Sequence, residues 1–190
     1  MRAGLIAILL CAGFLVLGLS WTFAKHKAEA PVLERFEATM IPPLDDSNDL
    51  SVDVEGFSND AELEAFRQAF TRGGNEELLK AFQKSTKGHF KMGSGVRMPI
   101  RALQSSSGGG VRRLSCIGEA PKFSSGVDGF VPTLGGTHAY TFIQLIVDEQ
   151  GKGKGTLIPF AGVIFDKDGH LQIISPKVRN IQLVNVHVVK

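Results

Sequence analysis

Apolar and polar positions are most clearly organised between residues 140 and 174. There the chain reads YTFIQLIVDE, QGKGKG, TLIPFAGVIF, DKDG and HLQII. Three apolar runs separated by a glycine turn and an Asp-Gly turn predict a three-strand antiparallel meander. Both faces of residues 140–147 are largely apolar, with Phe142 and Ile143 pointing opposite ways, so this strand is expected at the centre of a sheet. Near the start, Phe36, Ala38 and Met40 alternate with Arg35, Glu37 and Thr39. Leu50, Val52 and Val54 then alternate with Ser51, Asp53 and Glu55. These are two half-buried strands, over 33–41 and 50–55, that should pair with each other across Pro42-Pro43 and an acidic turn.

The period changes at Asn59. With Glu62 three residues on, Asn59 can cap a helix that buries Leu63, Phe66 and Phe70. Gly73-Gly74 should end it, and Asn75 can cap a second helix to about Ser85 that buries Leu78, Leu79 and Phe82. A helical pair this short needs a sheet face to pack on. Strands are expected again over 89–92, 96–103 and 111–117, with Pro99 at an edge or bulge and a flexible loop at 105–110. Residues 118–137 are rich in Gly, Ser and Pro and have little periodicity, the composition of a functional or mobile loop. A last strand over 181–189 should turn Val184, Val186 and Val188 one way and Leu183, Asn185 and His187 the other. The expected fold is therefore a single α+β domain over 33–190, with an early helical pair packed on a mostly antiparallel β-sheet ending in a β-meander.

The N-terminus changes the picture of where this domain works. Residues 3–24 carry no charge, with Arg2 before them and Lys25 and Lys27 after. That is the pattern of a signal peptide over 1–24, followed by a polar spacer over 25–32. It also fits an uncleaved transmembrane anchor, since residues 3–24 as a helix reach about 33 Å. Cys11 follows Ile8-Leu9-Leu10 rather than the small residue expected before a lipidated cysteine, and reads as one more apolar position. Either way the domain is expected outside the cytoplasm: periplasmic or secreted, or anchored in the inner membrane with the domain outside. Beyond Cys11 only Cys116 remains, so no disulfide can form within 33–190. The formal charge of +2 offers no electrostatic basis for nucleic acid. Thirteen Phe against one Trp and one Tyr point to core filling rather than a wet recognition surface.

GFSNDAELEAFRQAF from Gly56, RGGNEELLKAF from Arg72, DEQGKGKGTLIP from Asp148 and DKDGHLQI from Asp166 carry a resemblance. Over most of residues 34–189 the chain resembles a group of short, exported bacterial proteins of uncharacterised function. The resemblance implies export and one domain, and implies no activity.

Candidate chemistry is sparse. Residues 151–156, GKGKGT, look like a phosphate loop, but a P-loop needs lysine directly before Ser/Thr and a helix after it. Glycine precedes Thr156 and a strand is expected next, so a mobile hairpin tip is the better reading. Asp166-Lys167-Asp168-Gly169 begins like a calcium loop but lacks the later oxygen ligands and the flanking helices. No two histidines stand at zinc-ligand spacing, and no cofactor or metal site is expected. Cys116 with His89, His138, His170 or His187 is a conceivable thiol dyad, which makes Cys116 and His138 the catalytic candidates. A cysteine within an apolar strand is ordinarily inert core. Arg97, Arg101, Arg112 and Arg113 would form a basic cluster if their strands pair, facing an anionic surface or guarding a sheet edge. The function expected from all this is a non-enzymatic binding or scaffolding domain of the cell envelope. Its partner would be a protein or envelope ligand, with the membrane engaged through the N-terminal segment if that is retained. The alternative is a small exported hydrolase using Cys116 or a Ser/His site.

Overall fold

Strands that bury one face can satisfy it by lying under helices or by curling until the face closes on itself. This chain does the second. The computed structural model describes residues 30–43, 47–120, 140–166, 171–174 and 180–189. The expected signal or anchor, His138, His170 and all but the start of the 118–137 loop lie outside them. The strands are β1 (Glu34–Ile41), β2 (Asp49–Val54), β3 (Gly88–Met92), β4 (Met98–Gly108), β5 (Val111–Glu119), β6 (Tyr140–Asp148), β7 (Lys152–Phe165), β8 (Leu171–Ile174) and β9 (Ile181–Val189); one helix, α1 (Asp60–Phe82), follows β2. Neighbours run β6-β5-β4-β3-β2-β1-β9-β7, and β6 pairs back onto β7. Eight antiparallel strands thus form a closed barrel, which corrects the expected α+β sheet. Closure comes from β7, which takes β6 on one side and β9 on the other. It also needs β9, which zips the end of the chain onto β1.

The inward faces fill the barrel. Phe36, Met40, Leu50, Val52, Phe90, Ile100, Leu103, Leu114, Cys116, Ile143, Leu145, Leu157 and Leu183 belong to one contiguous buried cluster. Branched and aromatic side chains at this density leave a small barrel packed rather than hollow. The expected pairing of the first two strands is present, with Phe36 opposite Val52 and Glu37 opposite Ser51. The central position expected for residues 140–147 is also present, since β6 lies between β5 and β7.

The helical pair is corrected to one helical element that bends. Asn59 and Glu62 form a reciprocal capping box at its start. Lys87 donates to Glu62 at 2.6 Å and holds that carboxyl below its ordinary value. The bend is at Gly73 (φ −155°, ψ 25°) and Gly74 (φ 61°, ψ −144°), the second a backbone state that side chains rarely adopt. In a straight helix Phe66 and Phe82 would stand about 24 Å apart; their rings meet edge-on at 4.7 Å. Phe66, Leu78 and Phe82 cover the outer face of β4–β7 at Ala102, Ile117, Tyr140 and Val163, with half-buried Phe142 at the margin. β7 outruns the barrel, pairs with β8 from Gly162 to Phe165, and brings Phe165 to 5.5 Å from Phe70.

Three local expectations are also corrected. Residues 105–108 continue β4 as a hairpin arm against β5, and the turn is Gly109-Gly110. Residues 152–155 are not a hairpin tip but β7 itself, paired on both edges. In β9 a bulge at Asn185 (φ 52°) resets the alternation, so Leu183 and Val186 both point inward while His187 faces out.

Tyr140 yields a prediction. Its ring stacks edge-on to Phe82 at 5.4 Å, and its hydroxyl is buried without a hydrogen-bond partner among the described residues. An unmatched buried hydroxyl costs about 1–3 kcal/mol, so Tyr140→Phe should leave stability unchanged or raise it in urea denaturation at pH 7. Burial also pushes the Tyr140 phenol from 10.0 up to about 12, and the Cys116 thiol from 9.0 up to about 12. The unfolded chain loses these protons at the ordinary values while the native state keeps them. Their contribution is therefore intact below pH 9 and declines as pH rises toward 12. Urea midpoints measured up that range should fall for the native sequence and fall less for Cys116→Ala/Tyr140→Phe.

Candidate functional site

α1 and the β7–β8 arm cover one side of the barrel. The opposite side, made by β9, β1, β2 and β3, presents the polar half of each alternating strand. Register sets the rows: Arg35 lies opposite Asp53, and Asp53 opposite His89; Glu37 lies opposite Ser51 and His187, and Ser51 opposite Lys91. Asp53 is only 8% exposed. Arg35 donates to it at 2.6 Å and Arg97 at 3.0 Å, so two guanidiniums offset its desolvation. Arg97 also reaches Glu55 at 3.5 Å, and Glu55 meets His89 Nδ1 at 2.7 Å. His187 Nε2 lies 3.7 Å from Glu37, and its Nδ1 is 2.9 Å from the Asn185 carbonyl that the bulge turns outward.

Two adjoining troughs follow these rows. One, of about 450 Å³, is lined by Arg35, Asp53, His89, Lys91 and Arg97. The other, of about 430 Å³, is lined by Glu37, Thr39, Asp49, Lys91, Asn185 and His187. Glu37, Ser51 and Lys91 border both. The arrangement offers donors and acceptors of both signs on a rigid sheet, which suits binding. Proton transfer to a nucleophile has no counterpart here. Each imidazole faces a carboxylate, yet among the described residues neither hydrogen-bonds to a Ser, Thr or Cys.

The residues expected from sequence fall elsewhere. Cys116 is fully buried and points into the barrel from β5, whereas His89 and His187 point out from β3 and β9. The barrel wall separates thiol from imidazole, and burial keeps the thiol protonated. His138 lies outside the described residues. The expected basic cluster does not form because three of its four arginines meet acids of their own, while Arg113 stands exposed on β5. Arg97 takes Asp53 and Glu55; Arg101 takes Glu119 and the Ser85 carbonyl; Arg112 takes Glu34. Among the described residues no three His, Cys, Asp or Glu gather to hold a metal ion. No helix among them is long and apolar enough to cross a membrane. In the sequence Arg35, Asp53, Glu55 and His89 stand out only as the polar halves of strands; that they converge with Arg97 needs the β2–β3 register and the turn after β3.

The chain matches no protein-family model, no curated protein and no solved structure.

Proposed function

We propose that residues 33–190 are a non-enzymatic binding or scaffolding domain working outside the cytoplasmic membrane, held there by residues 1–24 or released after their removal. The observation that carries this reading is the filled interior. A barrel that encloses a small molecule needs an internal space, and this one is occupied by its own side chains. Its contact surface is then its outside, and the β9–β1–β2–β3 face, which no helix or strand among the described residues covers, is the part that α1 leaves available. The partner is an envelope protein or an envelope ligand rich in polar groups.

Affinity capture from envelope extracts tests the reading with the full chain as bait, beside a Lys91→Glu/His187→Glu variant. Both side chains are exposed, so the variant should fold. A specific species recovered by the native chain and lost by the variant is expected. Recovery of no specific species, or equal recovery by both, overturns it.

A further inference from the structure

The barrel has two ends: exposed apolar side chains gather round one ion pair at the end where the chain enters β1, while Ile41 and Val96 are exposed at the other. Among the described residues seven large apolar side chains are exposed; Val32, Leu33, Phe57 and Val111 lie at the end where the chain enters β1. One ion pair gathers the last three. Arg112 donates to Glu34 at 2.7 Å and to Ser105 at 3.0 Å, and its guanidinium lies 5.7 Å from the centre of the Phe57 ring. Leu33 adjoins Glu34, Val111 adjoins Arg112, and Leu33 extends the ladder by donating to the Val54 carbonyl. Beside Val111 and Arg112 of this collar is a recess of about 450 Å³ lined also by Val147 and Val188. Val96, 80% exposed, follows β3 at the opposite end.

The apolar segment 3–24 joins the barrel at this same collar. From Ala24 to Leu33 the chain reaches at most about 32 Å fully extended, so a retained segment keeps the collar near the bilayer surface. Nearby exposed charges are mixed: Arg113 and Lys152 against Asp148 and Glu149, with Arg112 and Glu34 already paired. That balance favours no anionic lipid.

The geometry points to a membrane-docking surface: the Leu33–Phe57–Val111 collar rests on the bilayer that holds residues 3–24, making an apolar contact with zwitterionic lipid. The inference rests on the membrane-held form of the domain proposed above. Three partly exposed side chains are too few to bind a bilayer alone, but a tether raises their effective concentration at the surface. The polar β9–β1–β2–β3 face then stands across the membrane plane, open to a partner.

The test uses the full chain with Trp21→Phe and a single new tryptophan from Phe57→Trp, Val111→Trp or Val96→Trp. Each variant is reconstituted into vesicles of brominated phosphatidylcholine and floated on a density gradient. The chain should float, and emission should be quenched at positions 57 and 111 but not at 96, in low and in high salt. A chain that floats with positions 57 and 111 no more quenched than 96, or quenched only at low salt, overturns the docking and leaves anchoring intact. A chain that does not float overturns both.

Discussion

Gly153→Ala is expected to destabilise the barrel by about 3 kcal/mol or more, lowering its thermal midpoint by about 10 °C. A Cβ at Gly153 would stand 1.9 Å from the Ile146 carbonyl oxygen and 2.9 Å from the Val147 Cα. These are backbone atoms of β6, and β6 cannot retreat because β5 holds its other edge. Gly155 is alike, with a Cβ 2.3 Å from the Gln144 carbonyl oxygen. The glycine-lysine run that resembles a phosphate loop is thus explained by close approach of strands where β7 shifts register against β9 between Gly153 and Gly155. Gly108→Ala is the control: a Cβ placed there would meet no atom within 4 Å and the backbone is ordinary, so its effect should stay within about 0.5 kcal/mol. Equal thermal midpoints for the Gly153 and Gly108 variants would refute this explanation of β7.

Phe82→Ala should cost about 3–5 kcal/mol, the second large effect. Phe82 is fully buried, and its ring meets Phe66 on one side and Tyr140 on the other. It joins the two arms of α1 to each other and to β6. Its loss should therefore raise hydrogen exchange across α1 more than across β1 and β2. Guanidinium denaturation measures the cost, and exchange with mass detection measures its distribution. A loss below about 1 kcal/mol would mean that α1 packs loosely on the barrel.

These residues also show what could be read in advance. Period-two alternation marked β1, β2 and β9, an apolar run between turns marked β6, and the Asn59–Glu62 box marked the start of α1. Closure was not legible. An open sheet and a barrel bury the same alternating face, and the deciding pairs, such as Phe36 with Val188, join opposite ends of the chain. Composition misled at 105–108 and 152–155, where Ser and Gly suggested loops and neighbouring strands supply partners instead. The bulge at Asn185 inverted the expected facing of β9, because alternation assumes an unbroken register. The polar face was visible as outward positions, but the convergence of Arg35 and Arg97 on Asp53 depends on register between segments 44 residues apart. Cys116 was correctly placed in an apolar strand; that it faces inward, away from every described histidine, required the barrel.

The proposed binding function rests on a sealed, filled interior, and Cys116 reports on it directly. The full chain is exposed to N-ethylmaleimide in native buffer and Cys116 is followed by peptide mapping, apart from Cys11. With the thiol 0% exposed and its ionisation suppressed, modification should proceed only through global unfolding and accelerate in step with added urea. Prompt, urea-independent modification at the rate of a free thiol would show an interior open to small molecules, and the filled barrel would have to be abandoned.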